Sequence, residues 1–430
     1  MIVKTGNIVN NFTYLNLSKC TLSAESLEIL SPNLKNLVEL DISYCVGITQ
    51  WLFLLDFTST IRTLNVSHLN NVANGKQLCS MLSGLNQLQI LDVSYTKLNI
   101  TDLTFYISKL SSLTNLNLQQ ENDPQYCVTD DIISQLLSVT TLRALYLSGY
   151  ELTANGIYAL NNFPHLVELG FDHLVGFSKL SPLGGFTKLT SLAIESSELD
   201  DASVEGVLSV LSGITRLNLA DNFITGDGVL ALSSMIHLRS LNVSKNEIGM
   251  NRNLDHHCFA NLTCLTELNL SNNPIVSSRP WLNRKFVINH LEFLLKLTTL
   301  TSLSFDNPTK ENGIQDSGLD YFRNLSNLTY LSLKRHSLAD NFIPKLKKLP
   351  QLRQLDISEN NITNLGLLQI THMVNLESID IQNTTLSDTA LLYLVNLPHL
   401  TSISLAGSRV SDKAVSVLEK HYPSISVINK

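Results

Sequence analysis

The chain has 430 residues, of which 44% are hydrophobic and 16% charged, too apolar a balance for a polypeptide that stays unfolded. Thirty Lys and Arg against 37 Asp and Glu leave a net charge of −7, which disfavours phosphate backbones and anionic membranes as partners. Because no run of about 18 apolar residues occurs, no membrane-crossing helix is expected, and Met1 to Asn7 show no signal-peptide pattern.

The predicted elements recur along the chain. From the N-terminus, Leu15, Leu40, Leu64, Leu91, Leu116 and Leu145 each mark one copy of a short apolar pattern, exemplified by Leu37, Leu40 and Ile42. The markers continue at Leu169, Leu192, Leu217, Leu241, Leu268, Leu303, Leu331, Leu355, Ile379 and Ile403, and a half-repeat, Ile425 to Val427, closes the series. Neighbouring markers stand 23 to 29 residues apart, except for one gap of 35 between Leu268 and Leu303. Within each copy the alternation of apolar residues predicts a short, half-buried strand. Apolar residues then recur at three and four, as at Ala390, Leu391 and Leu394, and predict a helix of two or three turns. Thr225, Ser387 and Ser411 stand where its free N–H groups need caps. A single copy cannot bury its own core, so the copies must stack.

The pattern L-x-x-L-x-L-x-x-N/C-x-L over residues 12–428 resembles the leucine-rich repeat family. The resemblance implies an α/β leucine-rich repeat solenoid, a horseshoe of about 16 repeats with a parallel concave sheet and convex helices, forming one domain over 1–430. The family's Asn/Cys position is filled by Asn222, Asn246, Asn273 and Asn360, by Cys20 and Cys45, and by Thr96, Thr384, Ser197 and Ser408. Six copies depart from it, with Leu69, Glu121, Tyr150, Leu174, Pro308 and His336. The helix starts and repeat lengths look more like the ribonuclease-inhibitor-like and F-box-associated subclasses than the extracellular receptors. What this implies is a non-catalytic scaffold or adaptor that binds another protein on its concave face, with substrate recognition for a ubiquitin ligase as the specific version.

Catalytic signatures are missing: there is no phosphate-binding loop, no dinucleotide fingerprint and no nucleophile elbow, and the repeats consume the chain, so neither enzymatic activity nor a cofactor is expected. His256, His257, Cys258 and Cys264 lie close together, but their spacing fits no zinc pattern, and the two cysteines sit at apolar positions. Six scattered cysteines make no disulfide framework, which favours a cytoplasmic location. Eleven Asn-x-Ser/Thr sequons support the alternative, a secreted or surface-exposed ligand-recognition protein.

Strand alternation shows which side chains line the concave face. About 16 strands give it an arc on the order of 75 Å. The three outward columns hold ten acids, among them Glu39, Asp41, Asp92, Glu168, Glu195, Glu267, Asp356 and Asp380, against Arg216 and Lys334, while Tyr146 is the one aromatic of the central column. Including the flanking columns lowers the excess to four negative charges. These acids and Tyr146 are the candidate partner-binding residues, and they suit a basic protein rather than nucleic acid or membrane. In the 35-residue gap, Trp281 with Arg279 and Arg284 forms a candidate rim anchor. The chain is expected to act as a monomer.

Overall fold

The computed structural model describes residues 13–23, 25, 36–47, 60–69, 79, 82, 84–121, 123, 126–174, 181–208, 211–249, 259–276, 291–309, 313–314 and 318–428. The chain divides into two compact units, Met1–Ser197 and Glu198–Lys430. In the first, strands β1 (Tyr14–Asn16), β2 (Glu39–Asp41), β3 (Thr63–Asn65), β4 (Ile90–Asp92), β5 (Asn115–Leu118), β6 (Ala144–Ser148), β7 (Glu168–Asp172) and β8 (Ser191–Glu195) pair in sequence order, all parallel. In the second, β9 (Arg216–Asn218), β10 (Ser240–Asn242), β11 (Glu267–Asn269), β12 (Ser302–Ser304), β13 (Tyr330–Ser332), β14 (Gln354–Asp356), β15 (Ser378–Asp380), β16 (Ser402–Ser404) and β17 (Ser426–Ile428) do the same.

All sixteen marker residues lie in strands, and the half-repeat forms β17. From Leu40 to Ile403 the markers are no more than 2% exposed, because each points from its strand into the layer beneath the sheet. The α/β leucine-rich repeat solenoid expected from the periodicity is therefore the observed fold.

Some of the segments returning from strand to strand are the predicted helices of two to three turns, and others are shorter or tighter. Helices such as Ile100–Ile107, Gly226–Leu232 and Asp412–His421 are α-helical, whereas Glu292–Lys296, Gly318–Phe322 and Asp340–Lys348 are 3₁₀. The three 3₁₀ segments fall in repeats of 35, 28 and 24 residues, and the three α-helices in repeats close to the shortest of these, so repeat length alone does not select between the two. Pro344, inside Asp340–Lys348, could not donate an α-helical hydrogen bond in any case.

Beyond most strands a ladder of buried polar groups joins the repeats. The Asn246 amide donates to Leu219, Val243 and Ser244 carbonyls at 2.8, 3.1 and 3.1 Å, while its Oδ1 accepts the Ile224 N–H at 3.0 Å. Asn222, Asn273 and Asn360 repeat the arrangement, and the Cys45 thiol donates to the Leu17 carbonyl at 2.9 Å. Three of the six apparent departures are corrected. Gln120, one residue before Glu121, donates to the Val93 carbonyl at 3.1 Å and accepts the Lys97 N–H, and buried Asn307 stands one residue before Pro308. These two repeats are longer, so their turns leave the strand in a register shifted by one. His336 fills the position with a ring: Nδ1 accepts the Ile314 N–H at 3.2 Å and Nε2 bonds the Phe305 carbonyl.

A second ladder ties the starts of the returning segments together. The Asp340 carboxylate accepts both the N–H and the hydroxyl of Thr363, at 2.8 and 2.6 Å, and Thr363 caps the next helix, Asn364–Leu368. Asp130 with Thr153, Asp201 with Thr225, and Asp388 with Ser411 are built the same way. Gly366 and Gly228 leave room for these carboxylates, since a Cβ at either would overlap the Oδ1 of Asp340 or Asp201.

Candidate functional site

The open face of each sheet, opposite the returning segments, carries the predicted acids. In the first unit its three outward columns hold Glu39, Asp41, Asp92, Glu168, Asp172 and Glu195 and no Lys or Arg. In the second unit they hold Glu267, Asp306, Asp356 and Asp380 with Arg216 and Lys334. The outward columns of the first unit thus hold acids without a Lys or Arg among them, a distinction the whole-chain count hides.

The central aspartates have a second task. Oδ1 of Asp41, Asp92, Asp356 and Asp380 accepts the backbone N–H two residues on, at 2.9, 2.9, 2.9 and 3.0 Å, and so turns the chain out of the strand. Asn65, Asn117, Asn242 and Asn269 make the same bond at the same position. This structural use explains why ten of the column's sixteen positions are Asp or Asn, and it leaves one carboxylate oxygen of each Asp for other partners. That oxygen takes the Asn16 amide at Asp41 and the Asn117 amide at Asp92, both at 3.4 Å. Among the described residues, Glu39, Asp41, Asp92 and Asp172 form no ion pair with Lys or Arg.

Tyr146 lies across its neighbouring strand. Its hydroxyl bonds Glu168, and its ring covers Gly170, where a Cβ would overlap it. The strand needs glycine there because the ring occupies the space. Glu195, half-buried, stands one strand further on.

In the second unit Glu267 accepts the Ser240 hydroxyl at 2.9 Å. Asp356 and Asp380 face each other across β14 and β15, and burial, with the Asp356 charge beside it, holds the Asp380 carboxyl above the usual carboxylate range. At the end of these strands Arg335 grips Glu359 through two bonds of 3.1 and 3.0 Å, and Lys334 adds a contact at 3.1 Å. The Arg335 bond, foremost, lowers Glu359 to about 2. Lys334, one of the two bases in the outward columns of this unit, is thus paired with Glu359.

Trp281, Arg279 and Arg284, the predicted rim anchor, lie outside the described residues, as do His256, His257 and Cys258. Cys264 is exposed, and the described residues contain no group of three or more metal-capable side chains.

A row of aromatics escaped the sequence reading. The residue three places after the central column adopts the left-handed backbone conformation in most repeats, among them Lys19, Tyr44, His68, Tyr95 and His173, with φ between 52° and 61°. In the first unit these side chains form a strip. Tyr44 stacks on His68 with centroids 4.1 Å apart, and His68 stacks on Tyr95 at 4.6 Å. The Tyr95 hydroxyl then donates to Oδ2 of Asp172 at 2.8 Å, and beside it Tyr150 stacks on His173 at 4.7 Å. Burial, and next the Asp172 charge, raise the Tyr95 hydroxyl, so it stays a donor; burial lowers the His68 imidazole, so it stays neutral at neutral pH. Writing out the column three residues past each central position would have shown Tyr44, His68 and Tyr95 in succession.

Parallel strands in register, a buried polar ladder and short returning helices define the leucine-rich repeat fold. Family models described as leucine rich repeat match residues 212–275 and 348–370. No curated protein matches the chain in sequence. Among solved structures, an internalin of Listeria monocytogenes is 22% identical with a TM-score of 0.51, over 83% of this chain and 94% of its own. Rad7, in its yeast complex with Elc1, is 16% identical with a TM-score of 0.53, over 95% and 93%. TLR13, in complex with ssRNA13, is 19% identical with a TM-score of 0.56; the match covers 94% of this chain but 60% of TLR13. At these identities the likeness is one of fold. No helix among the described residues is long and apolar enough to cross a membrane.

Proposed function

We propose that the chain is a non-catalytic protein-binding scaffold whose partner is basic and docks on the open face of its sheets. The observation that carries this reading is the face of the first unit, with six acids and no Lys or Arg in its outward columns. Such a field attracts cationic surfaces and speeds their association, and it repels nucleic-acid phosphates. In this reading the scaffold works as a monomer, in the cytoplasm, without nucleic acid. Free, buried Cys45, whose thiol serves the ladder, supports the reducing location. The specific version, substrate recognition for a ubiquitin ligase whose catalytic part is on another chain, rests on the resemblance of the repeats to F-box-associated ones.

The test is affinity capture from a host lysate with the full chain and with Asp41→Asn/Asp92→Asn. Asn65 and Asn117 show that asparagine keeps the turn bond, so this pair removes charge without breaking the strand ends. A basic protein captured by the parent and lost with the pair supports the reading; ligase subunits in the same eluate support the specific version. A partner retained equally by both forms overturns the face assignment.

A further inference from the structure

Asp172 stands apart from the other face acids. It is 4% exposed, its Oδ2 accepts the Tyr95 hydroxyl, and its Oδ1 has no hydrogen-bond partner. Nδ1 of His173 lies 3.6 Å from Oδ2 and is likewise without a hydrogen bond. A buried carboxylate oxygen left unpaired is costly, and a cation is the group that satisfies it best. The lid over it is light: the His173 side chain is 40% exposed and is held by its stack on Tyr150, so a ring shift uncovers the carboxylate.

The two aromatic stacks meet at this carboxylate. Planar cations settle on such rings, guanidinium more readily than ammonium. At the strip's far end the chain already places a cation, an ammonium, over a ring: Lys19 Nζ sits 5.8 Å from the Tyr44 ring centroid. Nucleic-acid bases also stack on aromatic platforms. Their phosphates, however, would run along a face whose outward columns hold six acids and no base. The charge decides for the cation.

We propose that the strip of Tyr44, His68, Tyr95, Tyr150 and His173 docks an arginine-bearing segment of a basic protein, with one guanidinium reaching Asp172. The proposal rests on the reading of the chain as a protein-binding scaffold and names the chemistry its partner presents. Tyr44 and Tyr95 take the flat faces of arginine side chains, and the Asp172 carboxylate takes the charge at the junction.

The experiment measures binding of fluorescent nona-arginine, nona-lysine and a thirteen-nucleotide single-stranded RNA to the full chain at physiological salt. Nona-arginine binds more tightly than nona-lysine of equal charge, and Asp172→Asn, which keeps an acceptor for Tyr95, weakens it about tenfold. Tyr44→Leu, at a half-exposed ring, weakens it as well, while Asp131→Asn, an exposed acid on the helix Asp130–Leu136, leaves it unchanged. Unchanged circular dichroism and urea midpoints confirm that the variants fold, and Tyr44→Leu carries the test should Asp172→Asn fail to fold. Equal affinity for the two peptides, or equal weakening by Asp131→Asn and Asp172→Asn, overturns the proposal in favour of plain charge attraction. RNA binding that Tyr44→Leu abolishes overturns it in favour of base stacking. A lysate partner lost with Asp41→Asn/Asp92→Asn but kept with Asp172→Asn and Tyr44→Leu overturns the strip alone and leaves the scaffold reading standing.

Discussion

His336 shows how much a single ladder position can impose. It is wholly buried, and its desolvated ring is held neutral, with the pKa lowered to about 4. Between that value and the ordinary 6.5 the unfolded chain binds a proton that the folded chain refuses. Stability therefore rises with pH across this window; it is complete above about 6.5 and lost as the pH falls toward 4. A shift of this size corresponds to about 3 kcal/mol at full development. His336→Asn, the residue that other repeats use, should flatten the pH dependence of the urea midpoint between pH 6.5 and 4.5 relative to the parent. An unchanged slope would mean the ring is not the group that titrates. At an ordinary rung, Asn246→Ala strands the Ile224 N–H and removes the donor to three carbonyls. The expected loss is about 2–3 kcal/mol, read from urea unfolding at pH 7.5. These rungs could be read in the sequence where the residue was Asn, Cys, Ser or Thr. Gln120 and Asn307 could not, because their repeats shift register by one and only the observed hydrogen bonds reveal the shift.

At the scale of elements, the returning segments depend on clamps between neighbours. Thr363 donates its hydroxyl to Asp340 and accepts the Leu365 N–H, so one side chain closes both the repeat junction and the helix start. Asp340→Ala and Thr363→Ala should each cost about 1–2 kcal/mol, and the double variant should cost little more than either alone. Additive losses in a double-mutant cycle would show that the two side chains act separately. The strands were legible to the residue, since a period of two cannot slip without turning every leucine to the wrong face. The returning segments were legible only as apolar spacing. Apolar spacing of three and four suits α-helix and 3₁₀ alike, and only at a residue such as Pro344, which lacks the helical donor, does the sequence itself lean toward one of them.

For the molecule as a whole, what matters is where the charge lies, and a single sum could not show it. The sequence reading placed Asp41, Asp92, Asp356 and Asp380 on one face as equals. The structure gives all four the same turn bond but different electrostatic settings. Asp356 and Asp380 stand in register on adjacent strands, where burial and the Asp356 charge disfavour the charge of Asp380, and Lys334 shares their face. Asp41 and Asp92 stand on strands separated by Asn65 on β3, with no base in the outward columns of their unit. The first pair therefore contributes more to the long-range field than the second. For the captured basic partner, the association rate should fall steeply as salt rises, because steering over a Debye length of about 10 Å is screened. Asp41→Asn/Asp92→Asn should slow association at low salt roughly threefold or more, Asp356→Asn/Asp380→Asn should slow it less, and at high salt both should converge on the parent. Stopped-flow association across a salt series measures all three curves. Equal slowing by the two pairs would mean that the partner senses only total charge, and a rate indifferent to salt would remove the acidic face from the docking path altogether.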